Sequence, residues 1–271
     1  MKLTELFKNY DNYLELNYTS KDTISNYKSC FKKFVSSNSR IYRMSANDIE
    51  TYFVNFSRKY SVSYYNQMLS SVRIIFKLLE QPQKLKNIPY KEDSKKEINI
   101  LSVDEIKNSL LLIDNIKHRC IINLLYVGAL RISELQNITL EDIDSENNRI
   151  LIQNGKGGKS RRFPITDRDL KELRIYYKKY RPETYLFEST VKGKKYSQSS
   201  IRNVVKKIRT NKHVYPHLLR HTALTNLMDN KHNIMKVQQF AGHKSPKSTQ
   251  RYYHLSKESL SDMVLTLKDI G

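Results

Sequence analysis

The sequence predicts a mainly α-helical fold in two domains, with one small β section in the second. Three observations predict it. Apolar residues recur at three and four over most of the chain. A charged, proline-containing stretch between residues 81 and 97 interrupts that period. Two short runs at 149–153 and 161–165 flank a cluster of three glycines. A chain of 271 residues with 39% apolar content is long enough for two modest cores.

Between Leu3 and Leu79 about four helices are expected. Ile24, Tyr27, Phe31 and Phe34 form one apolar stripe, and Tyr65, Met68, Val72, Ile75 and Leu79 another. Ser45 followed by Asp48 resembles a capping box opening a helix through Ile49, Phe53 and Phe56. Each helix has a single apolar stripe and is buried only against the others, as a small bundle over residues 1–85. Its basic exterior suits straddling a duplex, although a generic interaction bundle fits the same pattern. Residues 86–98, within the interrupted stretch around Pro82 and Pro89, read as a linker.

The second domain is expected over 99–271. Ser102 and Glu105 form a second candidate capping box at its start. Helices around 121–126 and 132–135 precede strands at 149–153 and 161–165, which the glycines of Gly155-Lys156-Gly157-Gly158-Lys159 allow to close as a hairpin. Helices follow over 170–180, 199–208, 218–228 and 234–240, then a short piece at 249–254 and a tail helix through Leu260, Val264 and Leu267.

The 48 Lys and Arg residues outnumber the 27 Asp and Glu residues, a net charge of +21 that condenses polyanions. Residues 1–97 carry +7 and residues 98–271 carry +14, so both halves are expected to face the same polyanion. Nucleic acid is the leading one. An anionic membrane surface is the other, but no run of eighteen apolar residues is present, and a cytoplasmic protein is expected. Cys30 and Cys120 are far apart and unsuited to a metal clamp. The glycine cluster lacks the P-loop's spacing and its final Lys-Ser/Thr, which argues against ATP. Neither cofactor nor metal is expected.

Cleavage of a phosphodiester by a protein nucleophile needs an attacking oxygen, positive donors for the pentacoordinate phosphorus and an acid for the departing sugar oxygen. Arg131 stands in Gly-Ala-Leu-Arg-Ile-Ser-Glu-Leu, three residues before Glu134, which would orient its guanidinium; a plain salt bridge is the alternative. His217 and Arg220 share a helix face behind Pro216, and His221 is the candidate for a structural histidine. Lys156, Lys159, Arg161 and Arg162 crowd the hairpin, whose tip could enter the minor groove or lie along phosphates; a solvated basic turn is the alternative. His243 follows Gly242, and Tyr252 comes nine residues later; Tyr253 competes with it, and a packing role is the ordinary fate of any of 19 tyrosines.

In this order and with these gaps the residues resemble the tyrosine recombinases, the class of phage integrases and Xer proteins. The resemblance implies a helical, SAM-like core-binding bundle followed by a mixed, mostly helical catalytic domain with a small β-sheet. It implies that Arg131 and Arg220 clamp the scissile phosphate, with Glu134 in support, and that Lys156 protonates the leaving 5′ oxygen. It further implies that His217 and His243 assist, and that Tyr252, rather than Tyr253, forms a 3′-phosphotyrosine. Ala129, where a small residue that is commonly glycine precedes Leu-Arg, and Phe240-Ala241 before Gly-His are its departures. The expected partners are double-stranded DNA and further copies of the chain, a dimer on one site and a tetramer on two. The helices begin almost at Met1, with no added arm-binding domain expected, which favours a simple Xer-like or transposon-encoded enzyme. Relaxation in the manner of a type IB topoisomerase, and DNA binding without catalysis, are the rival functions.

Overall fold

The computed structural model describes residues 2–38, 40–92, 99–153, 160–230 and 232–242, and the chain divides into two compact units, Met1–Glu97 and Ile98–Gly271. The first is a four-helix bundle of α1 (Leu3–Asn17), α2 (Lys21–Ser37), α3 (Ala46–Lys59) and α4 (Val62–Leu78). Ser20, Ser45 and Ser61 cap α2, α3 and α4 by accepting N–H groups of the first turn, and Asp48 completes the expected box at α3. The helix α4 is central: Met68, Leu69, Val72 and Ile75 are fully buried, packed with Leu6, Tyr10, Phe34 and Phe53 of the other three. The hydroxyls of Tyr10 and Ser71, both buried, lie 2.7 Å apart, so neither is left unsatisfied.

A 3₁₀ turn at Pro82–Leu85 follows. Leu85 and Ile88 are buried in the bundle core. Arg73 donates to the Ile88 carbonyl at 2.8 Å, and the Asn66 amide both donates to and accepts from the backbone of Lys91, at 2.8 and 2.9 Å. The stretch expected to be linker therefore packs on α4 as far as residue 91, because Ile88 supplies an apolar anchor. Residues 93–98 lie outside the described residues.

The second unit contains α5 (Val103–Leu111), α6 (Ile116–Val127), α7 (Ile132–Asn137), strands β1 (Ile143–Asp144), β2 (Arg149–Ile152) and β3 (Arg161–Pro164), then α8 (Asp167–Tyr180), α9 (Gln198–Val205), α10 (Pro216–Asp229) and α11 (Ile234–Ala241). Ser102 and Glu105 make the expected capping box. The helix α6 is buried nearly all round, with Ile121, Ile122, Leu124 and Leu125 closed off from solvent, and it packs against α5, α8, α9 and α10. The sheet is antiparallel in the order β1-β2-β3. The two-residue β1 is additional to the expected hairpin. In the register of β2 with β3, Ile150 faces Phe163 and Ile152 faces Arg161. Residues opposite each other share a face, so Arg161 belongs to the buried side of the sheet and Arg162 to the exposed side. The helix α9 ends at Val205, three residues short of the expected 208, although Ile208 remains buried.

Gly128 joins this sheet to α6. A Cβ added there would come within 2.8 Å of the Phe163 ring and 2.9 Å of Leu130, both fully buried. Gly128→Ala is expected to destabilise the protein by about 1–3 kcal/mol through overpacking, read as a lowered midpoint of thermal unfolding. A midpoint equal to that of the wild type would show that the Phe163 ring can yield.

No helix among the described residues is long and apolar enough to cross a membrane. The hairpin tip, the short piece at 249–254 and the tail helix through Leu260, Val264 and Leu267 lie outside the described residues.

Candidate active site

The site is built around Glu134, the third residue of α7 and only 6% exposed. Its Oε2 accepts the backbone N–H of Arg131 at 2.8 Å, the return half of a capping box. Its Oε1 accepts Nη1 of the same arginine at 2.6 Å. Arg161 reaches in from the start of β3 and donates Nη1 to Oε1 at 3.0 Å and Nη2 to Oε2 at 2.9 Å, a two-pronged fork. Nη1 of Arg220 stands 3.7 Å from Oε2. Burial by itself would raise the Glu134 carboxyl; the hydrogen bonds and charge of Arg161, followed by those of Arg131, outweigh it and hold the group down at about 2. Glu134 is therefore ionised throughout the physiological range.

Arg220, on α10, is almost wholly buried and is held by carbonyls. It donates Nη1 to Ala129, and Nη2 to Ala241 at 2.6 Å. The geometry of Ala129 explains the first contact. The helix α6 ends in a Schellman motif, in which the Leu130 N–H bonds the Leu125 carbonyl and the Ala129 N–H bonds the Tyr126 carbonyl. Ala129 occupies the left-handed position of that motif with φ of 44°, where glycine is the usual residue and alanine costs about 1 kcal/mol. The departure from the family pattern at this position is thus a modest backbone cost that leaves the carbonyl aimed at Arg220.

His217 is the second residue of α10, whose N-cap, Tyr215, supplies no side-chain cap. The helix dipole adds positive potential at this end. Partial desolvation of the His217 ring, then the charges of Arg220 and Arg131, push its pKa below the ordinary value, so the neutral imidazole prevails at neutral pH. Three guanidiniums and one carboxylate leave the cluster with two net positive charges. Among the described residues the other guanidinium donors of Arg131 have no partner. Such an arrangement has the charge to attract an anion, a phosphodiester among them. Among the described residues no group of three or more His, Cys, Asp or Glu is placed to hold a metal.

Of the residues expected from the sequence, the structure brings together Arg131, Glu134, His217 and Arg220. His221 is half-buried beside them on α10. Arg161, expected among the DNA contacts, is instead turned inward: its side chain is 9% exposed and its fork is taken by Glu134. Arg162 is exposed. Lys156, Lys159, His243 and Tyr252 lie outside the described residues. Gly242, just before His243, ends α11 with φ of 62° and lies against Arg161, whose Nη1 would be 3.1 Å from an added Cβ.

A model of the phage integrase family matches residues 99–259. Tyrosine recombinase XerA of Pyrococcus furiosus is 31% identical over 272 residues, covering 96% of this chain and 93% of its own. Among solved structures, a XerA recombinase is 28% identical with a TM-score of 0.55, over 98% of both chains. A lambda integrase dimer bound to a COC′ core site shares the fold at 16% identity, with a TM-score of 0.75 over 93% of this chain and 95% of that one.

Proposed function

The chain belongs to the phage integrase family, and from that premise we propose that Tyr252 is the nucleophile of its reaction, acting on a phosphate held by Arg131 and Arg220. The enzyme is a tyrosine recombinase: it binds double-stranded DNA and cleaves and rejoins it by transesterification through a phosphotyrosine. The Tyr252 oxygen bonds the phosphorus as the bond to the 5′ oxygen breaks. The phosphate ends on the tyrosine and the DNA keeps a 5′ hydroxyl, which reverses the step when it attacks in turn. Lys156 gives the leaving 5′ oxygen its proton, while His217 and His243 assist proton transfer and orientation. The observation that supports this assignment is the Glu134 carboxylate, which gathers Arg131 and Arg220 in one cluster beside His217. The first unit, with Arg162 and Lys159, supplies DNA contacts in a cytoplasmic setting.

Recombination rather than relaxation follows from the relatives, which are named recombinases. On a supercoiled plasmid carrying two directly repeated target sites, the expected product is two separate circles. Relaxed plasmid alone would favour the topoisomerase-like reading.

Exchange of four strands requires four active sites, hence a dimer on each site and a tetramer on two. The lambda integrase dimer on a core site supports the first of these by analogy. Residues 257–270, with Leu260, Val264 and Leu267 at spacings of four and three, suit a helix donated to a neighbouring protomer. Deletion from Lys257 onward is expected to leave single-protomer DNA binding detectable while weakening cooperative binding and synapsis. Gel-shift titration and sedimentation decide the matter: cooperativity equal to that of the full chain would defeat the role in trans.

A further inference from the structure

We propose that Arg161 is a positioning residue for strand cleavage. From the start of β3 it saturates the Glu134 carboxylate, so that Arg131 keeps donors for the phosphate, and its guanidinium lies against the Gly242 turn. The inference rests on the reading that Arg131 and Arg220 hold the scissile phosphate.

A carboxylate offers about four good acceptor directions. At Glu134 they are taken by the Arg131 N–H at 2.8 Å, Arg131 Nη1 at 2.6 Å, and the two Arg161 prongs at 3.0 and 2.9 Å. Arg220 is left at 3.7 Å, with its two Nη groups turned to the carbonyls of Ala129 and Ala241 instead. Arg161 thus occupies the acceptor sites that the other two guanidiniums would otherwise compete for. Without its fork, the strongest nearby acceptor for Arg131 and Arg220 would be an under-satisfied, buried carboxylate, and both would be drawn away from substrate.

Stability alone is a weak reason for such a pair, because an apolar side chain at a buried position commonly serves as well as an ion pair. A second contact ties Arg161 to the rest of the site. At Gly242 an added Cβ would meet Nη1, Cδ and Cζ of Arg161 at 3.1, 3.4 and 3.5 Å, so the turn lies directly on this side chain. Arg220 holds the carbonyl of the preceding Ala241 at 2.6 Å. The start of the segment bearing His243 is therefore fixed by two of the three arginines that share Glu134.

The test uses the full chain and a nicked suicide duplex carrying its target site. DNA affinity and the rate of covalent adduct formation at saturating DNA are measured separately. Arg161→Lys keeps the charge but offers one prong in place of two. It is expected to bind DNA within about threefold of wild type and to cleave about 10- to 100-fold more slowly, the loss typical of a misplaced catalytic group. Arg161→Gln also removes the charge. The Glu134 carboxyl, facing Arg131 at the start of α7 and Arg220 and His217 on α10, then loses its main stabiliser and rises from about 2. Cleavage by this variant should fall off at a higher pH on the acid side than wild type. Adding Glu134→Gln should remove that acid limb and give a rate no slower than the slower single variant. Wild-type cleavage by Arg161→Lys at saturation, or a loss of affinity matching the loss of rate, overturns the inference. If Arg161→Gln fails to fold, the split between affinity and rate in Arg161→Lys decides alone. A wild-type protein that forms no adduct would instead sink the underlying reading.

Discussion

Tyr252→Phe is expected to abolish covalent protein–DNA adducts, by roughly 10⁴-fold or more, while DNA binding stays close to wild type. The substitution removes one oxygen and nothing that holds the phosphate. Arg131 and Arg220 are positioned by Glu134, Ala129 and Ala241, the nearest of which, Ala241, precedes Tyr252 by eleven residues. Binding and chemistry should therefore separate cleanly. The readout is a labelled suicide duplex that shifts to the protein band on a denaturing gel. Tyr253→Phe is the decisive companion. If it loses the adduct while Tyr252→Phe retains it, the nucleophile lies one residue further on and the nine-residue offset from His243 is not the guide it is taken to be.

What was legible in the sequence was local. The boxes of Ser45 with Asp48 and Ser102 with Glu105 each lie within one turn, and Pro216 marks the start of α10 by its fixed φ and missing N–H. The same signature in Thr166 with Asp169 starts α8 at Asp167, three residues before the expected 170. The strand β1 has two residues and no alternation to show, so nothing in its composition separates it from a turn. In the site, the pairing of Arg131 with Glu134 follows from their spacing. The inward turn of Arg161 was also readable: it lies two residues before Phe163, and strand alternation puts both on the core face. The hairpin's basic composition masks that signal, since four cations in seven residues suggest a surface. The hold of the Ala129 and Ala241 carbonyls on Arg220 had no signal at all. Backbone oxygens carry no residue identity, and alanine gives no sign that it will adopt a left-handed φ.

Lys156→Ala is expected to slow cleavage of ordinary DNA by about 10²- to 10⁴-fold, the usual worth of a general acid, and a 5′-bridging sulfur in the substrate should restore most of the loss. The cluster itself narrows the choice of acid. A guanidinium is a poor proton donor, so the arginines of the cluster are fitted to stabilise charge at phosphorus rather than to act as the acid. His217 is held below its ordinary pKa by desolvation and by two of those arginines, which leaves it neutral at neutral pH and better fitted to accept a proton than to give one. These groups are poorly suited to give the 5′ oxygen its proton, and the hairpin residues that precede β3 include two lysines, Lys156 and Lys159. An alkoxide needs that proton, whereas a thiolate, with a thiol pKa near about 8.5, leaves without it. Rescue should therefore be large for Lys156→Ala and small for Arg131→Ala, whose defect lies in charge stabilisation at phosphorus rather than in protonation. Equal rescue of the two variants would remove Lys156 from the role, and preferential rescue of Lys159→Ala would move the role three residues along the hairpin.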